Sequence, residues 1–452
     1  MAKGKLHNTE RMPERAVLVG VQLATEPGLL PLEDSLDELA LLADTAGLEV
    51  VTQTYQRIDR PNAKTFIGKG KVQEIKALAE ELDAQVILFD DELQPRHQRE
   101  LEEEFGDKRR VIDRTALILD IFAQHASTHE GALQVELAQY EYRLPRLTRA
   151  WTHLARQSGG GGGRSGGVGG VGLRGPGETQ LESDRREIGK RISRLRSDLE
   201  KVRAHRGRYR AQRKRARIPI IALVGYTNAG KSTLLNALTD AQVYVADKLF
   251  ATLDPTTRKV RLPGGREALF TDTVGFIQKL PHGLVKAFQA TLEEVKEADL
   301  LLHVMDVTHP NVHEHAEAVM QTLDEIEARH VPMLTVLNKI DRLEDPAAAQ
   351  GALAEFDDAV AVSALTKQGL DELLAAVSSK LYETLAPIEV LLPYEQGALI
   401  ALFHEQGQVD VVEHTRTGVK LSGRLPGRLL ARYSEFAKGR KASATASQKG
   451  AE

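Results

Sequence analysis

The pattern of apolar and polar residues over positions 1–128 is typical of a small α/β domain. Apolar runs at Ala16–Leu23 and Ala84–Asp90 predict two buried strands. Leucines recur at helical spacing over 36–42, and Ser35 with Glu38 has the form of a capping box that would begin that helix. We therefore expect strands and helices to alternate in this first domain.

Two stretches of helical periodicity follow, on either side of a glycine-rich segment. Apolar residues recur at spacings of three and four from Leu133 to Leu154 and again from Leu181 to Val202. Between them, residues 159–177 include twelve glycines among nineteen residues, too many for a compact core. This pattern predicts an antiparallel helical hairpin over 129–217 with a flexible tip, rather than a simple interdomain linker. Pro145 is expected to kink the first arm.

From residue 218 onwards, strands alternate with amphipathic helices. Five apolar runs within 218–385 predict a parallel sheet with helices on both faces. A shorter β-α-β-β-α pattern over 386–436 predicts a small α+β domain. Residues 437–452 are small and polar and are expected to be disordered.

The composition excludes several classes of protein. The chain has no cysteine, which excludes a disulfide framework, a thiolate zinc site and a cysteine nucleophile. No apolar run approaches the roughly 18 residues that a membrane-spanning helix needs. The N-terminal residues lack the apolar stretch of a secretion signal. We therefore expect a cytoplasmic protein without a membrane span, and a monomer.

Positive charge is concentrated in one part of the chain. Residues 185–217 hold fifteen Lys or Arg and three acidic residues, a net charge of +12, while the chain as a whole has a net charge of -4. A stretch so strongly cationic favours binding to nucleic acid over a merely solvated helix face. The candidate RNA-binding residues of the tip and second arm are Arg164, Arg174, Arg185, Arg186, Arg191 and Arg194.

The loop GYTNAGKS, from Gly225 to Ser232, follows a predicted strand and opens a predicted helix. It fits the phosphate-binding pattern G-x-x-x-x-G-K-S, in which backbone N–H groups close around the phosphates. Lys231 would reach the β and γ phosphates, and Ser232 would ligate Mg²⁺. The predicted nucleotide contacts here are Gly225, Tyr226, Thr227, Asn228, Ala229, Gly230, Lys231, Ser232 and Thr233.

Two further segments complete the predicted phosphate site. Asp272 ends the next predicted strand, where it can hold magnesium through water, and the N–H of Gly275 can meet the γ phosphate. The stretch FATLDPTT upstream is the expected first switch, in which Thr252 would ligate magnesium; Thr256 and Thr257 are the alternatives. Lys231, Thr252 and Gly275 are therefore the predicted catalytic residues.

The guanine end of the predicted site comes last in the chain. A carboxylate at Asp341, within the motif that begins at Asn338 and Lys339, can accept from both the N1–H and the exocyclic amine of guanine, so it selects GTP. Ser363 and Ala364 would supply a backbone N–H for the guanine oxygen. We therefore predict an α/β fold: a P-loop GTPase domain, preceded by the small α/β domain and the hairpin, and followed by the α+β domain.

Four segments carry a family resemblance: RGPGETQLESDRR (174–186), GYTNAGKSTLLN (225–236), FATLDPTTR (250–258) and DTVGFI (272–277). Together they resemble the HflX family, GTPases that act on the bacterial ribosome, and the resemblance covers nearly the whole chain. It implies binding to the large ribosomal subunit and its rRNA in the GTP state, and the splitting or rescue of stalled ribosomes under stress. The hairpin tip would enter the rRNA near the peptidyl-transferase centre.

Three further residues bear on how the site would work. Phe276 stands where many GTPases place the glutamine that orients the attacking water, so we expect slow hydrolysis that a bound macromolecule, the ribosome, accelerates. Asn228 is similar to the asparagine with which related GTPases bind K⁺; simple loop geometry is the alternative. Leu365 replaces a lysine often found after Ser-Ala.

Two other functions remain open from the residues alone. One is a GTP-dependent signalling switch that binds a protein partner. The other is a GTPase that acts on RNA itself, for example in tRNA modification.

Overall fold

The part of the chain that the computed structural model describes contains three β-sheets, of four, six and three strands. The structure describes residues 13–25, 28–147, 176–216, 218–239, 249–250, 253–263, 265–279, 289–343, 351, 353–356, 358–383, 385–434 and 436–437. None of the helices in this described part is both long and apolar enough to cross a membrane.

The first sheet is parallel and has helices packed on it. Its strands are β1 (Glu14–Leu23), β2 (Leu48–Ile58), β3 (Val86–Phe89) and β4 (Arg110–Asp113), in the order β2-β1-β3-β4. Its helices are α1 (Leu32–Thr45), α2 (Lys69–Glu81), α3 (Pro95–Phe105) and α4 (Arg114–His125). The two central strands, β1 and β3, lie in the apolar runs that the sequence pattern singles out, because a parallel strand covered on both faces is apolar throughout.

The predicted capping box at the start of α1 is wrong. The helix begins three residues before Ser35, with Pro31 at the N-cap. Ser35 and Glu38 therefore lie inside the helix, and both are buried. The Ser35 hydroxyl donates to Asp90 Oδ2 at 2.7 Å instead of capping the helix. The two polar side chains belong to a buried network that sequence proximity does not reveal.

A pair of helices follows this domain: α5 (His129–Arg143) and α6 (Pro176–Ala216). The Thr128 hydroxyl caps α5 by accepting from the Gly131 N–H. Apolar side chains from both predicted seams pack together along this helix pair. They are Leu133, Leu137, Ile192, Leu195 and Leu199.

The first predicted arm differs from expectation at Pro145. Helix α5 ends at Arg143, and Leu144–Arg146 forms a 3-10 turn, so the proline terminates the α-helix rather than kinking it. The rest of that arm, from residue 148, and the glycine tip up to residue 175 lie outside the described residues.

The second sheet has six strands and lies at the centre of the GTPase domain. The strands are β5 (Ile220–Val224), β6 (Thr256–Arg261), β7 (Glu267–Asp272), β8 (Leu300–Asp306), β9 (Met333–Asn338) and β10 (Ala359–Ala361), in the order β10-β9-β8-β5-β7-β6. The helices are α7 (Lys231–Thr239), α8 (Gln289–Lys296), α9 (Val312–Glu325) and α10 (Leu370–Glu383). The sheet is parallel except for β6, an antiparallel edge strand that the sequence pattern did not reveal because its residues are polar and largely exposed.

The third sheet is antiparallel, in the order β11-β13-β12, with β11 (Leu385–Leu392), β12 (Gln408–His414) and β13 (Val419–Pro426). Two helices, α11 (Gly397–Gln406) and α12 (Gly427–Tyr433), complete the β-α-β-β-α order that the sequence predicts. Ala437, the first residue of the predicted disordered tail, pairs with Val390 next to this sheet. The remainder of that tail, 438–452, lies outside the described residues.

A buried arginine joins the elements of the first domain. Arg114, 1% exposed, donates to Asp90 Oδ1 at 2.6 Å and also to Glu38. Burial alone would lower the pKa of Arg114, but the two carboxylates outweigh it and raise the pKa. Because each of these charges is desolvated, removal of one partner would leave the others buried and unpaired, so the folded state depends on the pairing.

Replacing Arg114 by methionine should therefore destabilise the protein strongly. Arg114→Met removes the cation from two buried carboxylates, and we expect a loss of about 3 to 5 kcal/mol in unfolding free energy. Chemical denaturation followed by circular dichroism measures this loss. The control is Arg110→Met in the preceding strand β4, which breaks the exposed pair with Glu14 and should cost less than about 1 kcal/mol. Similar losses in the two variants would contradict this account.

His303 is a buried titratable group in the centre of the second sheet. It lies on β8 between Val224 and Thr335, is 3% exposed, and its Nε2 has no hydrogen-bond partner among the described residues. Burial, and then the charge of Lys231, lower the pKa of His303 to about 4. The imidazole is therefore neutral at physiological pH.

This pKa makes stability depend on pH in a defined window. His303 becomes protonated below pH ~6.5 in the unfolded chain but only below about pH 4 in the folded protein. The unfolding free energy therefore falls as the pH falls through this range. The effect of His303→Phe on the unfolding free energy should therefore be more favourable at pH ~5 than at pH ~7.5, by up to about 2 kcal/mol. Urea unfolding at both pH values tests this. The slope of the parent protein is the reference, and an unchanged slope in His303→Phe would refute the assignment.

Candidate functional site

The P-loop joins β5 to α7 and can only be built with glycine at two positions. A Cβ on Gly225 would lie 2.2 Å from the carbonyl oxygen of Val304, and one on Gly230 would lie 2.3 Å from Asn338 Nδ2. Both glycines also have positive φ, as does Asn228 at 59°. The loop backbone therefore lies directly against β8 and the end of β9, where its N–H groups can face a ligand.

Lys231 lies within this loop and is almost fully buried. Its Nζ donates to the carbonyl oxygens of Tyr226 at 2.8 Å and Gly225 at 3.1 Å. Burial lowers its pKa to about 8, and Asp272 opposes that shift. A phosphate beside this ammonium would favour its charged form, so the site is electrostatically suited to an anionic ligand.

Ser232 and Asp272 meet at the edge of the loop. Ser232 Oγ donates to Asp272 Oδ2 at 2.6 Å, and the register of β5 with β7 aligns Leu223 with Asp272. A hydroxyl and a carboxylate at one point provide the oxygen donors that Mg²⁺ prefers. The donor set therefore fits a magnesium ion.

The threonines of the first switch are only partly described. Thr252 lies outside the described residues. Of the alternatives, Thr256 opens β6, and Thr257 Oγ1 is 3.0 Å from Thr271 Oγ1 within the sheet. Thr257 is therefore engaged in strand pairing at the sheet edge.

The second switch lies directly on the P-loop. The Thr227 N–H donates to the Phe276 carbonyl oxygen at 2.8 Å, and the Phe276 N–H donates to the Gly225 carbonyl oxygen at 3.0 Å. A Cβ on Gly275 would lie 3.1 Å from Lys231 Nζ, so a γ phosphate between these two residues requires the switch to move. The Phe276 side chain is buried and cannot orient a water molecule.

The predicted guanine motif, which begins at Asn338, lies against the P-loop. Asn338 Nδ2 donates to the Ala229 carbonyl oxygen at 2.9 Å, and the Ala364 N–H donates to Asn338 Oδ1 at 3.0 Å. Ser363 Oγ donates to Asp341 Oδ1 at 2.5 Å, while the Asp341 side chain stays exposed. The motif residues thus form one continuous rim from the P-loop to the carboxylate predicted to bind guanine.

Lys339 completes this rim from a strained position. Its φ is 69°, and its Nζ lies 2.7 Å from Asp306 Oδ2 at the end of β8. Burial would raise the pKa of Asp306, but hydrogen bonds from Lys339 and Thr308 lower it. The ion pair holds the turn after β9 in place.

Residues of the first domain also border the P-loop, which the motifs do not reveal. The Tyr226 hydroxyl donates to Glu38 Oε1 at 2.5 Å and accepts from the Gln278 N–H at 3.0 Å. Burial and then Glu38 raise the pKa of Tyr226 well above its usual value, so the phenol keeps its proton. Gln278 Nε2 also donates to Ser35 Oγ at 2.8 Å.

Lys279, the next residue of the second switch, also binds side chains of the first domain. Its φ is 53°, and its Nζ donates to Asp90 and, at 2.7 Å, to Asp91 Oδ1. Burial alone would lower the pKa of Lys279, but the two carboxylates raise it. The two carboxylates that follow β3 therefore bind the second switch electrostatically.

A cavity of about 280 Å³ lies beside the P-loop, between α1 and the start of α9. Asp34, Asn228 and Asp306 are among its lining residues. The His315 ring stacks on Tyr226 with 3.8 Å between ring centroids, and burial followed by His309 lowers its pKa to about 4. A neutral ring therefore covers the tyrosine.

The candidate RNA-binding arginines are divided. Arg164 and Arg174 lie outside the described residues. Arg185, Arg186, Arg191 and Arg194 lie on α6 and are exposed. Arg191 binds Glu136 of α5 at 2.6 Å, so this one also ties the helix pair together. Arg186 and Arg194 pair with Glu182 and Asp198 one turn away on the same exposed helix face.

Models of known protein families agree with this architecture. Four family profiles match successive parts of the chain. They are described as GTP-binding GTPase N-terminal (33–123), GTP-binding GTPase Middle Region (125–213), 50S ribosome-binding GTPase (220–339) and HflX C-terminal domain (349–431). A crystal structure of SsGBP in complex with GDP is 26% identical, with a TM-score of 0.45, and the match covers 82% of this chain and 99% of that chain.

Two curated relatives align over almost the full length. GTPase HflX of Caldanaerobacter subterraneus subsp. tengcongensis is 45% identical over 426 residues, which is 94% of each chain. GTPase HflX of Escherichia coli (strain K12) is 44% identical over 415 residues, covering 91% of this chain and 94% of the relative. With a P-loop, a guanine motif and this extent of identity in one chain, the protein is a GTP-binding and GTP-hydrolysing member of the HflX family.

Proposed function

We propose that this GTPase binds the large ribosomal subunit and splits or rescues stalled ribosomes under stress. The observation that carries the proposal is the direct connection of α6 to the nucleotide site. The helix ends at Ala216, and β5, which leads into the P-loop, begins at Ile220. The stretch with a net charge of +12 lies on this helix and the residue after it. The cationic helix thus leads directly into the strand that carries the P-loop, which supports a link between rRNA and the GTP site.

The residues around the phosphates have distinct proposed roles. Lys231 would neutralise the β and γ phosphates, and the Gly275 N–H would bind the γ phosphate once the second switch has moved. Ser232, Asp272 and Thr252 would hold Mg²⁺, which neutralises phosphate charge when bound. Asn228 is the proposed ligand of a K⁺ ion. Since Phe276 cannot orient water, the ribosome would complete the catalytic arrangement and accelerate hydrolysis.

Sedimentation with ribosomes tests the proposal directly. The protein should pellet with large subunits in the presence of a non-hydrolysable GTP analogue and much less with GDP. GTP turnover, measured with and without purified large subunits, should rise when they are added. No pelleting at any low salt concentration would exclude the ribosome and favour a signalling switch or an enzyme that acts on free RNA.

The carboxylate of Asp341 should set the base specificity. In Asp341→Asn the amide can donate to the C2 oxygen of xanthine but no longer accepts from the guanine amine. We expect GTP binding to weaken by about 10²-fold or more and xanthosine triphosphate binding to improve. Competition binding measures both affinities. The control Asp358→Asn changes only an exposed partner of Lys380 and should bind both nucleotides as the original protein does; unchanged GTP preference in Asp341→Asn would refute the assigned role.

The glycine tip should be needed for the effect on ribosomes and not for nucleotide binding. Deleting residues 159–172 leaves every described contact of the nucleotide site in place. GTP affinity should therefore be unchanged, while subunit dissociation, followed by density-gradient sedimentation, should be lost. Deleting 439–452, a segment of equal length, is the matched control. Dissociation that survives removal of the tip would show that the tip has no such role.

A further inference from the structure

The first switch is packed against the point where α4 ends and α5 begins. Leu249, Phe250 and Leu253 are all buried in a core shared with the first domain. The Phe250 ring contacts the Phe122 ring of α4 edge-on, with centroids 4.7 Å apart and planes at 66°. This switch therefore has an apolar attachment outside the GTPase domain.

Asp254, in the same switch, makes the polar part of the attachment. Its Oδ2 accepts from the N–H and hydroxyl of Ser127, at 2.9 and 2.8 Å, and from the Thr128 N–H at 2.8 Å. Its Oδ1 accepts from the Thr128 hydroxyl. One carboxylate thus binds four donors at the start of α5, where the helix dipole also favours a negative charge.

Gly131 makes room for this carboxylate. A Cβ at that position would lie 2.3 Å from Asp254 Oδ1, so no side chain fits while the contact exists. Backbone conformation gives no other reason for glycine here, because Gly131 lies inside helix α5. Glycine within a helix is unfavourable relative to alanine, and the close approach of Asp254 explains why it is present.

Helix α5 is in turn attached to both of its neighbours. The Tyr142 hydroxyl near its end donates to Asp113 Oδ1 in the first domain at 2.8 Å. On its other side, Leu133 and Leu137 pack against α6. A displacement of the start of α5 is therefore carried to the first domain and to α6 together.

We propose that Asp254 is a positioning residue that couples the state of the nucleotide to the orientation of the helix pair. The first switch of a GTPase rearranges when the γ phosphate is bound or lost. Asp254 lies two residues after Thr252, the proposed magnesium ligand, and itself binds the start of α5, so one short segment would join the metal to that helix. A change at the γ phosphate is passed through Asp254 to α5 and α6. This inference depends on GTP binding by the P-loop and not on any ribosome.

Distance measurements in the free protein test the coupling. The chain has no cysteine, so two spin labels can be attached without removing native residues. Ser197→Cys on α6 and Ala375→Cys on α10 are exposed positions. A rotation of roughly 10° over the ~30 Å of helix between Ser197 and Ala216 should change the label distance by about 5 Å between GDP and a non-hydrolysable GTP analogue.

Two variants break the contact from opposite sides. Asp254→Ala removes the carboxylate, and Gly131→Ala displaces it while favouring the helix. Each should lose at least half of the nucleotide-dependent change in distance, and the double variant should lose no more than either alone. The control is Asp410→Ala, at an exposed aspartate of β12, which should keep the full change.

Nucleotide affinity, measured in parallel with a fluorescent analogue, establishes that every variant is loaded. If the labelled parent gives the same distance with both nucleotides, or if Asp254→Ala retains the full change, the coupling does not exist. Loss of the change in Asp410→Ala as well would also overturn the proposal, since the effect would not belong to Asp254. Failure of ribosome binding would leave all of these measurements untouched.

Discussion

The burial of charge at the contact between the first domain and the GTPase domain governs the rest of the structure. Arg114 is paired with Glu38 and Asp90, and these carboxylates also bind Tyr226 of the P-loop and Lys279 of the second switch. Each charge is costly to desolvate unless its partners are in place. The two domains therefore satisfy one another's charges, and the phosphate-binding loop is held partly by residues that bind no phosphate.

This contact explains why the nucleotide site cannot be considered apart from the N-terminal domain. The second switch is hydrogen-bonded to the P-loop through Thr227 and Phe276 and to the first domain through Gln278 and Lys279. The first switch is attached to the start of α5 through Asp254. Movement of either switch would therefore change contacts outside the GTPase domain.

The features predicted correctly from the sequence are those that depend on residues close together along the chain. Gly225 and Gly230 are required by the local backbone of the P-loop, so a short motif was enough to place them. Glu38 and Asp254 were missed, because their partners lie 188 residues away at Tyr226 and 127 at Ser127. Ser35 was expected to cap a helix for the same reason, because its partner in the buried network, Asp90, is distant in the sequence. Strand β6 was missed for another reason: an exposed edge strand has no apolar run.

The short connection between α6 and β5 has a mechanical consequence. Only three residues separate Ala216 from Ile220, and so short a segment can extend by at most about 10 Å before it is taut. A pull or twist applied at the exposed arginines of the helix therefore reaches the strand beneath the P-loop with little slack. A partner that binds this helix therefore applies force to the strand that supports the nucleotide site. Mechanical work done at the exposed end of α6 is transmitted to β5.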